Sequence, residues 1–255
     1  MKTKNLTILL ILSMLFVVAG GPAPDVLAQP EAVAPPLGSA ASFVALASST
    51  LTNTGSGIFV GDVGVSPGTE VIGFPPGTFR HGAIHLNDSV TIQAQMDATT
   101  AYNALKGQTC TGVGVLTGVD LGGMTITPGV YCFDTSAQLT GDLKLDAQGN
   151  PFAVWVFQTG STLTTASDAS VTMINGGQSV NVFWQVGSSA TLGTGTRFNG
   201  NILADASITM NTGASLIGRA LALNGAVTMN TNATPFPIAN TPLFEFVYLP
   251  TIMRR

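Results

Sequence analysis

From residue 153 onward, apolar and polar positions alternate in short runs that recur along the chain. AVWVFQTGSTLT (Ala153 to Thr164) matches VNVFWQVGSSAT (Val180 to Thr191) at an offset of 27 residues. The spacing then tightens to 18 residues between Thr191 and Thr209 and to 19 between Thr209 and Thr228. Set beneath one another, these stretches place Leu163, Ala190, Ile208 and Val227 in one column and Thr164, Thr191, Thr209 and Thr228 in the next. Three residues later a looser column holds Ser167, Thr194, Thr212 and Thr231, and upstream LTNTGSGIFVG (Leu51 to Gly61) carries the same Asn-Thr-Gly turn. A repeat of this length with period-2 alternation predicts a β-solenoid whose coil is three strands of about six residues.

Within the coil that contains Ile208, positions 208, 210, 214 and 216 are apolar or small and are expected to point inward, with 207, 209, 213 and 215 pointing out. The third strand of the coil differs. Asn201-Ile202-Leu203-Ala204 and Ala220-Leu221-Ala222-Leu223 are apolar on both sides, the signature of a strand buried on both faces. Something must cover that wall, and one helical pattern is available. Val90, Ala94, Ala98, Ala101, Tyr102 and Leu105 share a helical face, with Asn87, Asp88 and Ser89 as N-cap candidates and Gly107 as a stop.

Composition narrows the class. The 255 residues are 45% hydrophobic and only 9% charged, with 30 glycines and a mean hydropathy of +0.40. That is too apolar for a disordered chain and too poor in charge for an ordinary globular surface. The N-terminus reads as an export signal over residues 1–28: Lys2 and Lys4, an apolar core from Leu6 to Val18, and a small-residue site at Val26-Leu27-Ala28 before Gln29. The apolar core is too short for a span of about 20 residues, so no membrane association is expected after cleavage. Removing Lys2, Lys4 and Asp25 from 9 basic and 13 acidic residues leaves a mature chain of charge −5. No clustered basic face exists to hold nucleic acid. Residues 29–36 (QPEAVAPP) form a linker, residues 37–237 the solenoid domain, and residues 238–255 a tail. The two cysteines, Cys110 and Cys132, are expected to form a disulfide outside the cell, the alternative being two free thiols.

Candidate chemistry is sparse. Gly64-Val65-Ser66-Pro67-Gly68 satisfies G-x-S-x-G, but the residue after the serine is a proline, which has no N–H for an oxyanion hole. His81 and His85 are four apart without an evident third ligand, and read as structural or surface histidines. Asp120, Asp134, Asp142, Asp146, Asp168 and Asp205 are scattered singly, so a carbohydrate-cleaving solenoid would lack its carboxylate cluster. Asp142 and Asp146 could contribute to a weak calcium site, but no acidic ligand pattern recurs. No enzyme, cofactor or metal is expected.

The threonine columns remain. Threonine is favoured in strands on structural grounds alone. Stacked strands repeat every 4.7–4.9 Å or about that, so such a column also offers hydroxyls and methyls in a flat, evenly spaced array, free of long charged side chains. Hydroxyls can hold ordered water while methyls cage its neighbours, and a water lattice is itself flat and periodic.

The motifs LGSAASFVALASSTLTNTG, GDVGVSPGT, QAQMDATTAYNAL, LGGMTITPGVYCF, FQTGSTLTTAS, NVFWQVGSSATLGTGTRFNGNILA and NGAVTMN stand in one order over roughly Leu37 to Thr234. In this the chain resembles the secreted microbial ice-binding proteins of the DUF3494 type. The resemblance implies a mainly β fold: a right-handed, discontinuous, triangular β-solenoid with one long α-helix packed along one side. It further implies adsorption to an ice crystal surface through one flat face, without catalysis or cofactor. Cys110 and Cys132 fit the subgroup that holds its cap region with a disulfide.

The family's T-[AG]-x-[TN] pattern lands here only in part. Thr212-Gly213-Ala214-Ser215 ends in serine, Thr231-Asn232-Ala233-Thr234 departs at its second place, and Thr194-Gly195-Thr196-Arg197 ends in an arginine. The expected face is therefore the neighbouring wall, led by Thr164, Thr191, Thr209 and Thr228 and flanked by Ser189, Ser207, Asn211 and Asn230, with corner threonines Thr194, Thr212 and Thr231. A monomer is expected. The alternative function is a cell-surface adhesin or polysaccharide-binding module. Sugar rings would call for exposed aromatics; these make up 7% of the chain, and Trp155 and Trp184 fall in the apolar strand. The tail LFEFVYLPTIMRR is too short to span a bilayer and is read as an edge strand or as an attachment or sorting tail.

Overall fold

The computed structural model describes residues 31–230, so the export signal, Thr231 and the tail lie outside the described residues. The chain begins with β1 (Phe43–Ala47), β2 (Thr50–Asn53), β3 (Ile58–Val60), β4 (Asp62–Val65), β5 (Glu70–Ile72), β6 (Thr78–Arg80) and β7 (Ile84–Leu86). Helix α1 (Ser89–Lys106) follows, then β8 (Thr125–Ile126), β9 (Gly129–Phe133), β10 (Ala137–Leu139) and β11 (Asp142–Asp146). The repeats continue as β12 (Trp155–Thr159), β13 (Leu163–Thr165), β14 (Ser170–Ile174), β15 (Val182–Val186), β16 (Ala190–Leu192), β17 (Arg197–Ala204), β18 (Ile208–Met210), β19 (Ser215–Ala222) and β20 (Val227–Met229).

All strand pairings are parallel and join neighbouring coils, so the strands stack into three walls. One wall is the seven-stranded sheet β10-β13-β16-β18-β20-β2-β5. The other two share an eleven-stranded sheet, because β17 and β19, eight residues each, run through a corner. Their first residues pair in the wall of β8, β11 and β14, and their last in the wall of β9, β12, β15, β1, β4 and β7. The bends are at Gly200 and Gly218 (φ 119° and 152°), where a Cβ on Gly218 would collide with the Gly200 carbonyl oxygen. The expected coil of three equal strands is thus modified: two of its strands are one, bent by glycine.

Coil order differs from chain order. β1 and β2 pair with β19 and β20, which places the N-terminal coils beyond the C-terminal ones and makes the solenoid discontinuous. Inside, every coil contributes to one core, including a ring stack of Tyr131, Phe157, Trp184 and Phe198 with centroid distances of 5.4, 3.9 and 4.9 Å. Trp155 and Trp184 are fully buried there.

Helix α1 covers the wall that is apolar on both faces. Ala94, Ala98, Ala101, Tyr102 and Leu105 pack on Leu46, Val130, Val156, Phe183, Leu203 and Leu221. The 18 residues span about 27 Å against roughly 34 Å for the eight strands beneath, so the helix runs along the stack. Of the face predicted from periodicity, Val90 is the exception: it is 41% exposed, and Thr91 is buried in its place. The reason is the cap. The Asp88 carboxylate accepts from the Thr91 N–H (2.8 Å) and the Thr91 hydroxyl accepts from the Asp88 N–H (3.0 Å), turning Thr91 inward. At the far end Gln158 Nε2 donates to the carbonyls of Leu105 (2.7 Å) and Gln108 (2.8 Å), satisfying the helix C-terminus. A Cys110–Cys132 disulfide then ties the following loop to β9.

Three outcomes follow. Replacing Cys110 and Cys132 by serine should cost about 3 kcal/mol, since the bridge closes a 22-residue loop, measured as urea unfolding with and without reductant. The Thr159 hydroxyl is buried in the core without a hydrogen-bond partner among the described residues, so Thr159→Val should raise stability by about 1–2 kcal/mol in the same assay. The Thr91 N–H and then His85 hold the Asp88 carboxyl down to about 2. Its contribution is therefore present above the ordinary carboxyl value of about 4 and is lost as pH falls through about 2. Asp88→Ala should lower the melting temperature at pH 7 and leave it unchanged at the bottom of that window.

Candidate functional site: a neutral flat wall

The three walls have different surfaces. The wall of β9, β12, β15 and β1, with the last halves of β17 and β19, is covered by α1. The wall of β11, β14 and the first halves of β17 and β19 carries Asp142, Lys144, Asp146 and Arg197 on its outside. Arg197 sits between Ser170 and Ser215 in that wall, past the corner, and so does not intrude on the seven-stranded sheet.

On the seven-stranded sheet, register places Gln138, Thr164, Thr191, Thr209, Thr228, Thr52 and Ile72 side by side in successive strands. The expected column of Thr164, Thr191, Thr209 and Thr228 is therefore continuous, and it gains a fifth threonine, Thr52, from the N-terminal segment. The sequence signal for Thr52 was present in Leu51-Thr52, which mirrors Val227-Thr228. Aligning on Asn-Thr-Gly masks it, because Asn53 occupies the register of Met229, not that of an outward asparagine. Asn53 is buried and donates to the carbonyls of Gly55 (2.6 Å) and Gly73 (2.9 Å). A one-residue slip in alignment exchanges the two faces of a strand.

Two residues before the threonines runs a row of Ser136, Thr162, Ser189, Ser207, Ala226 and Thr50; two residues after, Thr140, Ala166, Gly193, Asn211, Asn230 and Thr54. Over the six strands from β10 to β2 the three rows form a patch of about 24 by 13 Å. No charged side chain enters any row until Glu70, in the last strand. The corner threonines Thr194 and Thr212 are exposed at its border.

The hydroxyls divide into two kinds. In the first row they are engaged with the next coil: Ser136 with Thr162 (2.8 Å), Ser189 accepting from the Ser207 N–H (3.3 Å), and Ser207 accepting from the Ala226 N–H (3.1 Å). In the middle row, Thr52, Thr164, Thr191, Thr209 and Thr228 make no side-chain hydrogen bond among the described residues. They are partly or fully exposed, and the inward neighbours Leu51, Leu163, Ala190, Ile208 and Val227 are fully buried, which fixes their backbone. Five free hydroxyls thus stand in line on a rigid sheet.

The remaining candidates are structural in this arrangement. Ser66 of G-x-S-x-G donates to Asn87 Oδ1 (3.0 Å), and Gly64 is required because the Thr91 methyl and the Phe43 ring fill the space of a Cβ. His85 pairs with Asp88 (2.7 Å) and approaches Asp62 (3.8 Å) beside the helix cap, while His81 is exposed. Asp142 and Asp146 are taken by Ser170 (2.6 Å) and Asn175 (2.7 Å), and no metal-holding cluster of His, Cys, Asp or Glu occurs among the described residues. No described helix is long and apolar enough to cross a membrane.

Residues 45–234 match the profile of a family described as ice-binding-like. The chain is 56% identical over 197 residues to an ice-binding protein of Nostoc sp. (strain HG1), covering 77% of this chain and 72% of that one. Among solved structures, an ice-binding protein from an Antarctic biological consortium superposes with a TM-score of 0.77 at 45% identity, covering 81% of this chain and 92% of the other. One from the Antarctic ascomycete Antarctomyces psychrotrophicus gives 0.75 at 41% identity, with 79% and 97% covered.

Proposed function

This chain belongs to the ice-binding-like family, and on that premise we propose that it is a secreted, monomeric protein that adsorbs to ice through the seven-stranded wall. The observation that carries the choice of wall is the middle row of five threonines, their hydroxyls free and their spacing set by the strand ladder. A rigid row spaced at about 4.8 Å holds waters at fixed intervals, and the methyls between the hydroxyls order the waters that cannot bond to protein. Each water-mediated contact is weak, but the array has already lost its freedom on folding, so little entropy is lost again on contact. Catalysis has no part in this reading, and no cofactor is called for.

Asn211, Asn230, Thr194 and Thr212 border the row in this reading, and Ser189 and Ser207 stiffen it. Adsorption is distributed over the patch, so removing one hydroxyl matters less than raising one bulky side chain above the plane. Thr209→Tyr should abolish most of the freezing gap of protein starting at Gln29, measured in a nanolitre osmometer, without lowering its melting temperature. Thr209→Ser should retain most of it. A parental gap in Thr209→Tyr would move the site to another face.

A further inference from the structure

We infer that Arg219 is a positioning residue for this face: it locks the register between the two halves of the chain, so that Thr52 continues the threonine row beyond Thr228. The inference rests on the reading of the seven-stranded wall as the adsorbing surface.

Within each half, neighbouring coils are joined by the chain itself, at intervals of about 18 to 27 residues, so a strand has little freedom to slide along its neighbour. Between β20 and β2, and between β19 and β1, no short connection exists; Thr228 and Thr52 face each other from distant parts of the sequence. A parallel ladder can slip there by two residues and keep every side chain on its own face. Such a slip would carry Thr52 about 7 Å from its place in line and cut the row at four threonines.

Arg219 crosses this seam. It lies in β19 and is only 8% exposed, and burial lowers its affinity for the proton. Its Nε and Nη2 donate to the Ala41 carbonyl (3.0 and 2.6 Å), just ahead of β1, and its Nη1 donates to Asn201 Oδ1 (2.9 Å). Asn201 in turn donates to the carbonyls of Val180 (3.0 Å) and Val182 (3.1 Å), extending the chain of hydrogen bonds back through two more coils. The ion pairs among the described residues both involve His85, so no carboxylate among those residues compensates this guanidinium. A buried cation held by one carbonyl across the seam is a poor source of stability but a strict gauge of position. Slip by two residues removes the carbonyl and leaves the charge buried without its partners, a heavily disfavoured state. At the equivalent register of the preceding coils stand Asn201, Phe183 and Val156, so the arginine occurs only where the chain cannot set the register itself.

The test is a double-mutant cycle on the freezing gap of the full mature chain, with Thr52→Tyr, Arg219→Met and the pair, beside native-state amide exchange. Arg219→Met should reduce the gap about twofold or more, and Thr52→Tyr should then add little to that loss, although it is damaging alone. The Thr52 and Asn53 amides should exchange faster, with those of Thr191 and Thr209 unchanged. Arg219→Lys, which retains one donor for Ala41, should recover part of the gap. A parental gap in Arg219→Met, or full additivity with Thr52→Tyr, overturns the inference. If Arg219→Met fails to fold, parental exchange at the seam of Arg219→Lys overturns it equally. Thr209→Tyr measured in parallel separates the two levels: its parental gap sinks the face, whereas its collapse with a parental Arg219→Met gap sinks the register role alone.

Discussion

Parallel, in-register stacking of coils is the constraint from which the rest of this protein follows. Because each strand bonds only to the coil before and the coil after, every side chain sits above its counterpart, and a choice made at one position is repeated along an axis. Inward, the repetition yields the ring stack from Tyr131 to Phe198. Beneath the helix it yields the leucine line Leu203, Leu221 and Leu46. Outward, on the seven-stranded wall, where no charged side chain enters the rows from β10 to β2, it yields the threonine row. These are one device with three residue types, and the hydroxyls of the outward row make no side-chain hydrogen bond among the described residues.

The discontinuity of the stack follows from the same constraint. A wall apolar on both faces must be covered along most of its length, and α1 does so because it runs along the axis. A helix inserted between the two halves of the chain carries the polypeptide from one end of the stack to the other, so the N-terminal coils end on the far side of β19 and β20. Asp88 and Gln158 terminate it against opposite ends of the wall, and the disulfide holds the return loop in place. The cost is a seam across the seven-stranded wall, between β20 and β2, which no short covalent connection registers.

Much of this was legible because repetition in sequence and repetition in space share one period. The columns Leu163, Ala190, Ile208, Val227 and Thr164, Thr191, Thr209, Thr228 name the inside and outside of four strands before any coordinate is known. The helix and the wall it covers were readable from apolar residues at periods of 3.6 and from runs without alternation. Where reading failed, a local contact had overridden the period. Val90 is turned out by the cap that turns Thr91 in, and Thr52 is hidden because a familiar turn invites alignment one residue out of register. Ser189 and Ser207 look like Thr209 in sequence, yet their hydroxyls serve the neighbouring coil.

The sequence by itself determined the coil, its inward and outward positions, the covering helix and the absence of charge from the outward threonine positions, because each of these depends on residues close along the chain. Only the tertiary structure decided which coils are neighbours. That choice unites Thr228 with Thr52, sends Arg197 around a corner onto another wall, and separates free hydroxyls from engaged ones. Such relations join residues far apart in sequence, through backbone ladders whose bonds are alike at every position and therefore leave no mark on residue type.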